Sequence, residues 1–180
     1  GWGEMEGIHS RTDFDLKAHQ QFSGKNQQYV DQVDGNKKYI PYVIETSVGC
    51  DRHLLALLCD AYRVENAGDP ETERTVMMFR PSMAPIKVAV MPLMKKPELE
   101  EVAQKIFQEI QKKYRAEYDT AGSIGKRYRR QDEIGTPYCL TIDYDSLTDH
   151  AVTVRDRDSM RQERGGMDKL MQYLQDHLKL

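Results

Sequence analysis

From Ile86 onward the apolar residues change their spacing repeatedly, and this alternation limits the fold more than any other feature of the sequence. Ile86–Leu93 (IKVAVMPL) is a short continuous apolar run, the mark of a buried strand. Leu99, Val102, Ala103, Ile106, Phe107, Ile110 and Tyr114 then recur at helical spacing on one face. Pro97 stands at the first position of that helix, where its missing N–H costs nothing. Glu98, Glu100 and Glu101 follow in the first turn, where carboxylates meet the positive end of the helix dipole. Ala116–Thr120, Pro137–Asp143 and Ala151–Asp156 read as further strands, and Ser123–Gln131 as a short basic helix. Met167, Leu170, Met171, Leu174 and Leu178 form the apolar stripe of a terminal helix. Strands interleaved with helices predict a small α/β sandwich around a mixed sheet.

The first part of the chain has a different character. Residues 14–38 are polar and rich in Gln, Asn and Gly, which predicts a helix start followed by a hairpin or loop. Tyr39–Ser47 (YIPYVIETS) is a strand of β-branched and aromatic residues, with Pro41 placing it at an edge or at the strand's beginning. After Gly49 the period changes: Leu54, Leu55, Leu58, Ala61 and Tyr62 predict a buried amphipathic helix over Asp51–Tyr62. Asn66–Pro70 and Arg80-Pro81 bracket a connector, so two domains are expected, 1–78 and 79–180.

Charge separates these halves. Residues 1–78 carry 8 Lys+Arg against 13 Asp+Glu, and residues 79–180 carry 18 against 16. The second half is mildly basic, clustered at Lys126–Arg130 and Arg155–Arg164, a pattern that serves a solvated surface as readily as an RNA. No stretch approaches the roughly 18 apolar residues of a membrane span. The N-terminus is neither basic nor followed by an apolar run, and without an initiator Met it reads as a start inside a folded unit. Cys50, Cys59 and Cys139 are too few and too scattered for a disulfide framework or a zinc site, which points to a reducing, cytoplasmic setting. His9, His19, His53, His150 and His177 show no ligand spacing.

Chemistry concentrates at Glu45-Thr46-Ser47-Val48-Gly49-Cys50-Asp51-Arg52. A strand ends in alternating polar residues, a glycine follows, and an arginine falls in the first turn of a helix. Gly49 allows close backbone approach to a ligand. The helix N-terminus offers unpaired N–H groups and partial positive charge, and Arg52 can grip phosphate oxygens with two donors. Glu45 and Ser47, two apart on a strand, share a face on which a carboxylate and a hydroxyl can hold an ammonium group. The same strand–Gly–helix pattern also serves as a plain structural turn.

The run Tyr42–Leu58 (YVIETSVGCDRHLLALL) resembles motif 3 of the class II aminoacyl-tRNA synthetases, and its Glu-x-Ser before Gly-x-x-Arg resembles the glycyl branch. Gly1–Ile8 and Arg11–Leu16 are similar to the strand and turn that precede motif 3 in that branch. Residues 80–180 are similar to the anticodon-binding domain shared by the glycyl, histidyl, prolyl and threonyl enzymes. The resemblance covers essentially the whole chain. It implies a fold made of the end of a class II antiparallel catalytic sheet followed by a small mixed-sheet α/β anticodon-binding domain.

It also implies roles. Arg52 would bind the ATP phosphates as the catalytic arginine. Gly49, Cys50 and Asp51 would line the nucleotide, joined by Glu4 and Met5, with Glu4 also a candidate Mg²⁺ ligand. Glu45 and Ser47 would read the glycine amino group, with Thr46, Val48 and Gly49 closing the pocket. Cys50 departs from the aliphatic residue common in the family and is expected to be a packing cysteine. Motifs 1 and 2, which in the family build the dimer interface and grip the α-phosphate and acyl group, are absent, so this chain alone is expected not to activate glycine. The full-length enzyme is expected to be a homodimer that ligates glycine to its tRNA through glycyl-adenylate.

In the second domain an anticodon reader needs positive charge for phosphates and stacking or hydrogen-bonding groups for splayed bases. Lys126, Arg127, Tyr128, Arg129 and Arg130 supply both kinds, and Arg155, Arg157, Arg161 and Arg164 follow a predicted strand. The bases implied are the two cytosines common to glycine anticodons. Two other readings stay open at this point: a non-catalytic, synthetase-like accessory protein that binds nucleic acid, and a free-standing RNA-binding module with a remnant core.

Overall fold

The computed structural model describes residues 3–178; the Gly1-Trp2 part of the motif-preceding segment lies outside them. The chain divides into two units at Ala56/Leu57, within a helix, whereas the expected boundary lay at 78/79.

In the first unit β1 (Glu6–Thr12) pairs antiparallel with β4 (Val43–Val48), with Gly7 opposite Ser47 and His9 opposite Glu45. Between them lie α1 (Phe14–Ser23), closed by Gly24 at a left-handed φ of 67°, and a hairpin of β2 (Tyr29–Asp31) and β3 (Lys37–Tyr39). The expected strand over Tyr39–Ser47 is therefore split. Pro41 has no N–H for a ladder, and residues 40–42 are not in a strand. Helix α2 (Cys50–Ala61) forms as the spacing predicts, but it is not buried. Leu54 and Leu55 are 57% and 61% exposed, and Ala61 is its one buried residue. Its apolar stripe has no covering element among the described residues.

In the second unit β5 (Tyr62–Glu65) and β6 (Arg74–Met77) form an antiparallel hairpin, with β6 lying where a connector is expected. The hairpin packs on α4 (Ile124–Ile134), which is why the unit begins earlier than the motif pattern suggests. The main sheet has the order β11-β10-β9-β7-β8. Strands β7 (Val88–Pro92), β8 (Ala116–Tyr118) and β9 (Tyr138–Ile142) run parallel, and β10 (Ala151–Asp156) and β11 (Gln162–Gly166) continue antiparallel. The sheet is mixed, as the alternation predicts, and four of its five strands fall where the sequence places them.

β7 and β9 are buried on both faces, so they read as continuous apolar runs. On one face, α3 (Pro97–Gln111) and α6 (Leu170–His177) pack Leu99, Ala103, Ile110, Leu170 and Leu174 against Val88, Val90, Leu140 and Val154. α4 covers Ala89, Met91 and Cys139 on the other with Ile124 and Tyr128. A single turn, α5 (Ser146–Asp149), joins β9 to β10.

Candidate functional site

In the first unit the strand–glycine–helix turn forms where the sequence places it. β4 ends at Val48, Gly49 turns the chain, and α2 opens with Cys50, Asp51 and Arg52. β1 brings the Glu4–Met5 segment alongside, and Arg52 Nη1 donates to the Glu4 carbonyl at 2.6 Å. Glu4, Met5, Val48, Gly49 and Arg52 thus converge at one end of the β1–β4 pair. Thr46, Ser47 and Val48 are exposed among the described residues. Cys50 is exposed, not packed, so that expectation is corrected: the first turn of α2 faces solvent.

Glu45 already holds a cation. Arg11 Nε and Nη2 donate to its two carboxylate oxygens at 3.0 and 2.9 Å. That paired hydrogen bond, more than the opposing effect of burial, keeps Glu45 below the usual carboxylate range. A second cation at Glu45 would have to use the outer lone pairs of the same carboxylate. As for metal, among the described residues no three carboxylate, histidine or cysteine side chains gather.

The basic cluster of the second unit is sorted by burial. Lys126 and Arg129 point outward from α4. Arg127 is 3% exposed and donates to the backbone carbonyls of Pro92, Leu93 and Asp119. Arg130 is paired with Asp119 at 2.6 Å. Arg155 forms a two-bond pair with Asp132 at 2.8 and 2.9 Å and lies over the Tyr128 ring. Arg157 is 2% exposed, held by the carbonyls of Gly135 and Phe79 and by Asp158. Arg127, Arg155 and Arg157 are therefore internal struts whose donors are directed into the protein, although Arg127 Nε is buried without a partner among the described residues. Sequence charge alone could not show this, because Asp132 lies 23 residues from Arg155 and 58 from Arg74, its other partner.

The sequence reading missed a cleft at the carboxyl ends of β7 and β8. It measures about 420 Å³ and is lined by Leu93, Lys95, Thr120, Gly122, Ser123 and Arg127. Ser123 caps α4, accepting from the Lys126 N–H at 3.5 Å. The chain leaves β7 for β8 on one side and returns to β9 on the other, so strand order reverses beside this cleft. In open α/β sheets ligands bind at such a switch point. Lys95 and Lys96, just past the apolar run of β7, were the available signal.

Residues 87–177, half of the chain, match the family model for the anticodon binding domain. The chain belongs to the anticodon binding domain family. It is 50% identical over 99% of its length to a protein named glycine–tRNA ligase from Treponema denticola, covering 40% of that protein. It is 56% identical over 96% of its length to the glycine–tRNA ligase of Agathobacter rectalis, covering 37% of it. The chain thus spans about 40% of the length of these curated relatives. Among solved structures, the RNA binding domain of threonyl-tRNA synthetase from Cryptosporidium parvum Iowa II aligns with a TM-score of 0.62 at 19% identity. It covers 84% of this chain and 35% of that one. At that identity the likeness speaks for the fold. No helix among the described residues is long and apolar enough to cross a membrane.

Proposed function

We propose that this chain is the motif 3 and anticodon-reading portion of a glycine–tRNA ligase, an enzyme that joins glycine to its tRNA using ATP. The observation that carries the reading is identity of 50–56% to glycine–tRNA ligases across nearly the whole chain. In this reading residues 1–78 complete a class II antiparallel catalytic sheet, of which β1 and β4 are two strands. The exposed leucines of α2 support it: Leu54 and Leu55 form an apolar face that the rest of a longer protein would cover. The full protein works in the cytoplasm as a homodimer.

Each site residue has a task. Arg52 gives its free guanidinium donors to ATP phosphate oxygens while Nη1 stays anchored on the Glu4 carbonyl. The first-turn N–H groups of α2, at Cys50 and Asp51, add to the positive potential. Met5 and Gly49 border the nucleotide. Glu45, oriented by Arg11, and Ser47 on the same strand face bind the glycine ammonium, with the backbone of Thr46, Val48 and Gly49 closing the pocket. A wall that collides with a side chain rejects larger amino acids by more than the roughly 1–3 kcal/mol that one lost methylene contact gives. Mg²⁺ would arrive with the ATP phosphates, and no step is assigned to it here.

In the second unit the switch-point cleft takes a splayed anticodon base. Lys95 and Lys126 neutralise the neighbouring phosphates, while Arg129, reaching the Glu71 carbonyl, adds positive charge on another side of α4. Arg127 shapes the cleft floor by tying the ends of β7 and β8 together. The test is glycine-dependent ATP–pyrophosphate exchange. The chain alone should show none, and joining it to the preceding part of a 50%-identical relative should restore exchange. Arg52→Ala in that fusion should then cost about 10²-fold or more. Exchange by the isolated chain, or an unaffected Arg52→Ala fusion, would contradict the assignment.

A further inference from the structure

A second cavity, of about 260 Å³, opens at the other end of the main sheet and has no task in the reading above. Strand geometry builds it. Asp156 ends β10 directly opposite Tyr138, which begins β9. Glu163 on β11 lies opposite Val154, two residues before Asp156. Alternate residues and direct cross-strand partners share a sheet face, so Tyr138, Asp156 and Glu163 all point toward α6. From α6, Tyr173 and His177 close the cavity, their rings stacked at 4.1 Å and 19°. Tyr138 meets both edge-on, at 5.9 and 6.2 Å.

The polar groups in this cavity are unevenly spent. Asp156 uses one oxygen to hold the N–H and hydroxyl of Ser159 and keeps the other free. Among the described residues, the Glu163 carboxylate and the Tyr138 hydroxyl have no hydrogen-bond partner, although Tyr138 is only 7% exposed. The Tyr138 ring is buried while its hydroxyl opens into the cavity, where a ligand donor can replace solvent. Two guanidiniums oppose a cation here: Arg161, exposed at the rim, and buried Arg157, whose charge reaches Tyr138.

We propose that this cavity binds a small primary alkylammonium cation. An ammonium brings three donors and no acceptor, which matches two carboxylates and a phenol oxygen. Electron-rich rings within about 6 Å add cation–π attraction. At roughly 30 Å³ per water-sized group, the space holds about nine heavy atoms, the size of a short diamine or of a lysine side chain. The phenols stay neutral. Burial pushes Tyr138 up to about 12, reinforced by Tyr173 and Asp156. Tyr173 is raised by burial and then by Glu163 and Asp156, so both carboxylates project their field into the cavity.

The experiment titrates the 180-residue chain with butane-1,4-diamine, Nα-acetyl-lysine methylamide and the neutral butane-1,4-diol, read by calorimetry and by amide chemical shifts. The diamine should bind, shifting Tyr138, Tyr173 and His177, and the diol should not. Tyr138→Phe and Glu163→Gln should each weaken binding about three- to tenfold, the weight of one hydrogen bond or exposed ion contact. Arg161→Ala should tighten it. A diamine that outcompetes the blocked lysine assigns the site to a free amine, and the reverse order assigns it to a lysine presented by a partner. Equal binding of the diol, shifts confined to other surfaces, or an unchanged Glu163→Gln titration would overturn the proposal.

Discussion

Replacing Asp132 by Asn should be among the most damaging single changes outside the apolar core. Asp132 is 1% exposed and accepts three charge-assisted bonds: one from Arg74 Nε at 2.9 Å and two from Arg155 at 2.8 and 2.9 Å. An amide keeps one acceptor, turns a donor toward the guanidiniums and leaves their charge uncompensated. Arg74 retains Glu65 at 2.9 Å and the Arg157 carbonyl. Arg155 has no second carboxylate and keeps the remaining amide oxygen, the Cys139 thiol and its stacking on Tyr128, none of which carries a compensating charge. Breaking one partner of a buried ion pair costs about 3–5 kcal/mol. Against a total stability of about 5–15 kcal/mol, that is a drop in melting temperature of roughly 10–20 °C.

Circular dichroism melts and urea titrations measure it, and hydrogen exchange locates it. Protection should fall first in the β5–β6 hairpin and at the end of β10, which Asp132 joins. In a double-mutant cycle, Arg155→Met added to Asp132→Asn should cost about 2 kcal/mol less than the two single changes summed. A loss under about 1 kcal/mol, or additive single changes, would refute the view that these arginines are struts and would return Arg155 to the RNA-facing set.

Other expectations follow from the same structure. Gly135 ends α4 at φ +83°, and a Cβ there would lie 2.6 Å from Phe79 Cδ2 and 2.7 Å from the Met77 carbonyl oxygen. Gly135→Ala should therefore destabilise by at least about 2 kcal/mol, measurable by urea titration. Burial pushes the Cys139 thiol up to about 12, while Cys50 and Cys59 are exposed. Two thiols should react with a disulfide reagent at pH 8 in the native chain and the third only in denaturant; three fast native thiols would contradict the packing of β9. Burial raises Asp143, but hydrogen bonds from Arg164 and Ser146 outweigh it, and Asp149 is also lowered by Arg164. A carboxylate with a depressed folded pKa stabilises above its unfolded value, near 4, and loses that contribution as pH falls through the folded one. Exchange protection of the β10–β11 hairpin should thus decline below about pH 4, and Arg164→Ala should remove most of that pH dependence.

Much of the main sheet and its helices was legible because burial there writes itself into spacing. Pro97 and Ser123 mark the starts of α3 and α4, and Leu99 to Tyr114 mark a buried face. β11 was not legible: Gln162-Glu163-Arg164-Gly165-Gly166 has no β-branched or aromatic residue, and its pairing with β10 makes it a strand. The β5–β6 hairpin escaped because each strand is four residues long and its anchor is the contact of Arg74 with Asp132, far along the chain. α2 was legible as a helix but not in its burial, since spacing tells which face is apolar and not whether anything covers it. The Glu45–Arg52 turn was readable in order, while the Arg11–Glu45 pair needed the β1–β4 register to appear. The burial of the basic cluster was the least legible: a run of basic residues on one short helix splits between exposed Lys126 and Arg129 and buried Arg127.

The central claim, that residues 87–177 read a glycine anticodon, is tested most directly by binding of the chain to two RNAs across a salt series. One is the anticodon stem-loop of a glycine tRNA, and the other has both central cytosines replaced. Each stacked or specifically bonded base contributes about 1–3 kcal/mol. The account predicts a preference of at least about tenfold for the glycine loop that persists as salt rises, while affinity for both loops falls. Lys126→Glu should weaken binding to both without changing the ratio. Equal affinity for the two loops at every salt concentration would contradict it and leave only a basic surface.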